Sequence, residues 1–235
     1  MASQHNKLIL RVGDYDVSMS PELGRGSYGT VYKAIHSDTG ETHAVKKIEL
    51  TSDPIKSKRL LQKARTEEAI LKQLKHENVV QYYGVYCHTS SWWIFLQYCE
   101  EGNLNKYLKK VKHFSDKEKI EIELQCARAV EYIHKNNVMH RDIKPGNYLV
   151  TKINDKYVVK LTDFGLSKLL EHTSESMLTH VGTKCYQAPE LFDREKYTYA
   201  ADIFSLGLMI FVIFNYGPDH FYDFPVWGKA CFINS

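Results

Sequence analysis

Gly24, Gly26 and Gly29 are followed by Thr30-Val31-Tyr32-Lys33-Ala34-Ile35, and that succession constrains the chain more than any other feature. A Gly-x-Gly-x-x-Gly spacing that opens a helix would place a pyrophosphate at the helix N-terminus. Here the residues after the glycines alternate and are rich in β-branched side chains, which predicts a strand. The dinucleotide-binding arrangement is therefore excluded. Two readings remain at this point: a glycine hairpin whose backbone N–H groups cover phosphates, or a hairpin with incidental glycines. A turn at Ser37-Asp38-Thr39-Gly40 and a second alternating run, ETHAVKKIEL, complete the hairpin pattern.

The pattern then changes period along the chain. A helix is expected over about 55–75, with Leu60, Ala64, Ile70, Leu71 and Leu74 as its apolar residues. His76-Glu77-Asn78 breaks it, and residues 79–86 and 92–98 read as a strand pair. Glu100-Glu101-Gly102-Asn103 reads as a connector, and beyond it the sequence turns helical. Ser115 and Glu118 fit a capping box. The steps of three and four between Ile120, Leu124, Ala127, Val130 and Ile133 predict one buried helix face. Residues 203–214, IFSLGLMIFVIF, are apolar all round. Twelve residues fall short of the ~20 that span a bilayer, so a buried core helix is expected.

Composition narrows the function classes. With 31 Lys+Arg against 28 Asp+Glu and a net charge of +3, no electrostatic case exists for nucleic acid or an acidic membrane. Five cysteines without a C-x-x-C pair argue against a disulfide framework or structural zinc and for a reducing compartment. Eleven histidines form no metal-ligand spacing. Residues 1–12 lack the pattern of a secretory signal. The expected compartment is the cytoplasm, with the nucleus left open.

The glycine hairpin does not stand alone. Ala44-Val45-Lys46 follows at strand spacing, then His140-Arg141-Asp142-Ile143-Lys144-Pro145-Gly146-Asn147 after the capped helix, then Asp163-Phe164-Gly165 and Ala188-Pro189-Glu190. Five motifs in this order resemble the eukaryotic protein kinase family, over about residues 20–214. The resemblance implies an α+β fold with a β-rich lobe at 17–96, a hinge at 97–103 and a helical lobe at 104–214. Residues 1–16 read as an N-terminal extension and 215–235 as an atypical tail.

Roles follow from the same resemblance. Lys46 would reach the α/β-phosphates of ATP, oriented by a helix glutamate; Glu67 and Glu68 compete, and the family spacing favours Glu67. Lys47 should point to the opposite face of the strand. Asn147 and Asp163 are the expected Mg²⁺ ligands. Asp142 would accept the proton of a substrate hydroxyl, and Lys144 would neutralise charge on the transferring group. Leu23, Gly24, Gly26, Gly29, Val31, Ala44 and Leu149 would enclose the nucleotide. Leu96 is the gatekeeper, the backbone of Gln97 and Cys99 would bond adenine, and Asn103 would meet the ribose.

Lys144 and the segment Gly182-Thr183-Lys184-Cys185-Tyr186 point to Ser/Thr substrates, with Thr183 bonding toward Asp142 and Lys144. Arg141 suggests control by loop phosphorylation, for which Thr179, among Thr173, Ser174 and Ser176, is the expected target of an upstream kinase. Gly146 and Asn103 stand where some members carry acids that grip arginine, so no preference for upstream Arg is expected. Lys106, Lys109, Lys110 and Lys112 read as a solvated face. Only 21 residues follow Phe214, whereas three further helices would need about 45–50. The expected helical lobe is therefore partial. The alternative to a Ser/Thr kinase is a shortened module that binds nucleotide or a partner without efficient turnover.

Overall fold

The computed structural model describes residues 8–26, 29–111, 114–169, 184–191 and 197–215. Lys112, Thr173, Ser174, Ser176, Thr179, Gly182, Thr183 and everything after Asn215 lie outside the described residues. The fold is α+β, as expected, and the chain divides into two compact units. Unit 1 comprises Met1–Gln73 and Gln81–Tyr98; unit 2 comprises Leu74–Val80 and Cys99–Ser235.

Unit 1 is an antiparallel sheet with one helix. Its strands are β1 (Ile9–Val12), β2 (Tyr15–Ser18), β3 (Gly24–Gly26), β4 (Gly29–His36), β5 (Thr42–Glu49), β6 (Tyr82–His88) and β7 (Ser91–Gln97), and its helix is α1 (Pro54–Gln73). The order is β1-β2-β4-β5-β7-β6, with β3 paired to the start of β4. Side chains alternate across the pleat, so one face sends Tyr32, Ala34, Val45, Trp93 and Phe95 into a core completed by Val12, Tyr15 and Val17. Residues 9–16, expected as an extension, thus build two strands and part of that core. The sequence signal was a two-residue turn. Gly13 has φ +56°, and a Cβ there would lie 2.2 Å from the Tyr86 ring, so only glycine fits.

The helix α1 begins where Asp53 Oδ1 accepts the Ile55 and Lys56 N–H groups (2.9 and 3.2 Å), with Pro54 in the first helical position. It buries Ala64, Glu67, Ile70 and Leu71.

Unit 2 contains β8 (Gly102–Asn103), α2 (Leu104–Lys110), α3 (Asp116–Lys135), β9 (Val138–Met139), β10 (Tyr148–Ile153), β11 (Lys156–Leu161), β12 (Lys168–Leu169) and α4 (Tyr199–Asn215). Ser115 and Glu118 form the expected capping box at the start of α3. The buried stripe of α3 is Ile122, Cys126, Ala129, Val130 and Ile133. Ile120 and Leu124, expected inside, are 48% and 45% exposed. Both registers satisfy a three-to-four period, and tertiary packing chose the one that includes Ile122. β10 and β11 form a hairpin whose turn residues Asn154 and Asp155 both have positive φ (49° and 61°), a conformation these two side chains tolerate.

Residues 74–80 follow α1 yet pack within unit 2. Asn78 Nδ2 donates to the Val159 carbonyl (2.9 Å), Val80 N–H to Leu161 O (2.9 Å), and buried Lys160 Nζ to Glu77 O (2.6 Å). α4 buries Ala201, Asp202, Leu206, Met209 and Ile213. No helix among the described residues is long and apolar enough to cross a membrane.

Candidate active site

The motif residues gather into two clusters, one in each unit. In unit 1 the ladder sets which side chains share a face. Val31 lies opposite Lys46, and Ala44 opposite Leu96, so these four stand on the face away from the Tyr32–Phe95 core. Lys46 Nζ bonds both carboxylate oxygens of Glu67 at 2.8 and 2.9 Å, with side-chain exposures of only 8% and 2%. Glu68 instead faces the Tyr82 hydroxyl at 3.4 Å. Lys47, one residue on, pairs with Glu49 and lies 5.2 Å over the Trp93 ring, on the other face.

The glycines divide by what surrounds them. A Cβ on Gly29 would sit 2.5 Å from the Lys47 carbonyl oxygen, so close strand packing requires it. Gly24 has nothing within 4 Å of its Cβ position, and Gly26 has only the Gly29 carbonyl at 3.9 Å. Among the described residues, packing does not explain those two. Bare backbone facing open space fits a phosphate covered at close range. Leu23 anchors the strand entry through its N–H to Val31 O at 2.8 Å. Gln97 N–H bonds Gln81 O (2.8 Å).

In unit 2 the cluster is built from loops. Lys144 Nζ and Asn147 Nδ2 converge on Asp142 Oδ2, at 2.8 and 2.9 Å. Asn147 Nδ2 also donates to the Asp142 carbonyl (2.8 Å). These two donations fix the amide orientation, because only its nitrogen can donate. Asn147 Oδ1 is thereby turned away from Asp142 as a hard oxygen donor. The Thr162 N–H bonds Asn147 O at 2.9 Å, which brings Asp163 beside it. Asp163 is held at φ +62°, a sparsely populated conformation for a non-glycine residue. One amide oxygen and one carboxylate suit Mg²⁺, which takes few protein ligands and completes its shell with phosphate and water.

Beneath this loop lies Asp202, with no exposed surface, at the start of α4. It accepts the backbone N–H groups of His140 (2.8 Å) and Arg141 (2.9 Å), His134 Nε2–H (2.9 Å) and the Tyr197 hydroxyl (2.7 Å). Burial alone would raise its pKa. The His134 bond, the neighbouring His140 and the Tyr197 bond outweigh that and hold the carboxyl below its ordinary value. Tyr197 is driven far up, by burial first and then by Asp202. His140 Nε2 bonds Thr162 O (2.9 Å), which fixes that nitrogen as the donor and leaves Nδ1 to accept from Asp142 N–H (3.3 Å). Arg141, at φ +68°, donates its Nε to Leu166 O (2.6 Å), tying the loop to the segment after Asp163.

The nucleotide residues expected on unit 2 also meet. Leu149 pairs with Asn103 across β10 and β8. Asn103 Oδ1 already caps α2 through the Lys106 N–H (3.0 Å), so the amide NH₂ is the group it can offer a ribose. Burial pushes the Cys99 thiol up to about 12, making it an uncharged contact, and its carbonyl accepts from Gly102 N–H (3.3 Å).

A family model for the protein kinase domain matches residues 17–221. The chain belongs to the protein kinase family. Among curated relatives, serine/threonine-protein kinase pakG of Dictyostelium discoideum is 39% identical over 188 residues, covering 79% of this chain and 15% of that protein. Serine/threonine-protein kinase cst-1 of Caenorhabditis briggsae is 37% identical over 188 residues, 80% of this chain and 36% of its own length. Serine/threonine-protein kinase dst1 of Dictyostelium discoideum is 37% identical over 186 residues, 79% and 24%. The chain thus spans 15% to 36% of the length of these relatives.

Within this kinase domain, sequence reasoning missed His134 and Tyr197 as partners of Asp202. His134 sits in the last turn of α3, and nothing in its periodicity marks it. Tyr197, five residues before Asp202, offered no local signal either.

Proposed function

We propose that this kinase domain transfers the γ-phosphoryl group of ATP to Ser and Thr hydroxyls of protein substrates. The observation that carries the proposal is the Asp142 carboxylate, oriented by Lys144 and Asn147 on a loop anchored through Asp202. Asp142 accepts the proton of the attacking hydroxyl, and Lys144 offsets charge on the transferring group. Lys46, held by Glu67, binds the α/β-phosphates, and the open backbone of Gly24 and Gly26 covers them. Val31 and Ala44 of unit 1 and Leu149 of unit 2 are the apolar residues assigned to the adenine, with Leu96 as gatekeeper. Mg²⁺ held by Asn147 Oδ1 and Asp163 would neutralise the phosphates. Thr183 positions the substrate hydroxyl, and an upstream kinase acting on Thr179 raises activity by pairing its phosphate with Arg141.

The test is phosphate transfer from labelled ATP to Ser/Thr and Tyr peptide pools by the full chain, with Asp142→Asn alongside. Transfer to Ser/Thr that the variant loses is expected. Equal transfer by both proteins overturns the reading, and transfer confined to Tyr overturns its substrate class. Thr179→Ala should abolish the stimulation given by an activating kinase; undiminished stimulation removes Thr179 from the proposal.

A further inference from the structure

Helix α4 presents an apolar stripe that the described residues leave open. Ala200, Ile203, Gly207 and Phe211 recur at steps of three and four and are all exposed, Ile203 and Phe211 by 52% and 42%. The other side of the helix, with Ala201, Asp202, Leu206, Met209 and Ile213, is buried. Single exposed apolar residues are ordinary; the surroundings of these are not. Asp202 is the one charged residue of α4, and it has no exposed surface. Ile120 and Leu124 of α3 are similarly exposed, but they sit among the exposed Lys117, Glu121, Arg128 and Glu131, which keep that face solvated.

Gly207 is a second observation at the same place. Glycine inside a helix costs stability, and close packing is the usual reason for it. A Cβ at 207 would meet nothing within 4 Å among the described residues, so their packing gives no such reason. The glycine leaves a notch in the stripe, with Ile203 one turn before it and Phe211 one turn after.

The chain carries a segment suited to that stripe. Residues 216–235 continue directly from the end of α4. Six of these twenty are aromatic, against 12% of the whole chain, and only Asp219, Asp223 and Lys229 are charged. Gly217-Pro218 is a sequence that ends a helix, because proline cannot continue it. From Asn215 back to Ile203 the helix rises about 18 Å, a distance that about six extended residues cover. Phe221, Tyr222 and Phe224 fall within that return.

We propose that residues 216–235 fold back over the stripe of α4 and seat an aromatic side chain in the notch at Gly207. The proposal is independent of phosphoryl transfer, and its test needs no turnover.

Hydrogen exchange by mass spectrometry on the full chain tests it, with a synthetic peptide of residues 216–235 as the unprotected reference. In wild type the amides of this segment should exchange about tenfold slower than in the peptide. Gly207→Lys puts a good helix former with a long, charged side chain into open space. It should bring exchange to within about twofold of the peptide. Phe211→Ser should act in the same direction, and Leu124→Ser on α3 should change nothing. If Phe211→Ser fails to fold, Gly207→Lys still decides, since nothing is packed against its site. Wild-type exchange as fast as that of the peptide overturns the proposal, as does protection unmoved in Gly207→Lys. Protection lost on about a hundredfold dilution assigns the stripe to a second copy of the chain and overturns it as well.

Discussion

The Lys46–Glu67 pair of unit 1 and the Lys144–Asp142 pair of unit 2 join the same two chemical groups on opposite kinds of scaffold. The first is bidentate, almost fully buried, and set by a strand and a helix. The second brings Lys144 Nζ to Asp142 Oδ2 at 2.8 Å, with Lys144 27% exposed, on a loop whose regular structure is one 3-10 turn, Pro145–Asn147. Regular elements hold their pair through hydrophobic packing, whereas the loop needs a buried carboxylate and two residues at strained φ. Burial does not separate the two carboxylates as sharply, since the Asp142 side chain is 8% exposed; of the four groups only Lys144 stands appreciably in solvent.

That contrast breaks first at Asp142. Asp142→Asn should lower phosphate transfer about 10²- to 10⁴-fold and barely move the thermal midpoint, since an amide oxygen still accepts from Lys144 and Asn147. A large loss of midpoint would make Asp142 a structural residue instead.

Unit 1 should behave the other way. Lys46→Met takes the lysine away from the buried Glu67 carboxylate, at a cost of about 3–5 kcal/mol in urea unfolding. The double variant Lys46→Met/Glu67→Leu should recover most of that stability and none of the transfer. Recovery of transfer would sever the pair from the chemistry.

The glycines sharpen the comparison within unit 1. Gly29→Ala drives a methyl against the Lys47 carbonyl and should cost about 1–3 kcal/mol of stability. Gly24→Ala, with open space around it, should leave stability nearly unchanged and raise the KM for ATP. Equal stability losses would mean that both glycines serve only the fold.

The smallest effect is in pH. Burial, above all, holds His43 in unit 1 and His76 in unit 2 below the ordinary 6.5. Both are neutral in either state at higher pH, and the unfolded chain protonates first as pH falls through 6.5. Stability is therefore lost on the acid side of that value. His43 is packed against Tyr15 and Tyr83, and its Nδ1 is buried without a partner among the described residues. His43→Phe should flatten the fall in urea midpoint between pH 7.5 and 5.5; an unchanged slope assigns the acid sensitivity elsewhere.

Much of this was legible in the sequence, and unevenly so. The strand after the glycines, the capping box of α3 and the apolar α4 followed from local pattern, because each is decided by neighbours within a few residues. Ile120 and Leu124 show where pattern stops: two helix faces met the same period, and only contacts with β11 and α4 select between them. The hairpin of β1 and β2 hides in short strands around Gly13, whose need is set by Tyr86, far along the chain. The two clusters differ in the same way. Lys46 sits on a strand that alternation predicts, while the bonds that shape the catalytic loop come from Asp202, some sixty residues on. Motif order pointed to that loop, but His134 and Tyr197 carried no signal of their own.

Asp202 also makes the docking of α4 measurable. The N–H groups of His140 and Arg141 both end on its shielded oxygens. Solvent deuterium reaches them only when the first turn of α4 lifts away. The exchange rates of these two amides therefore gauge how often α4 releases the catalytic loop.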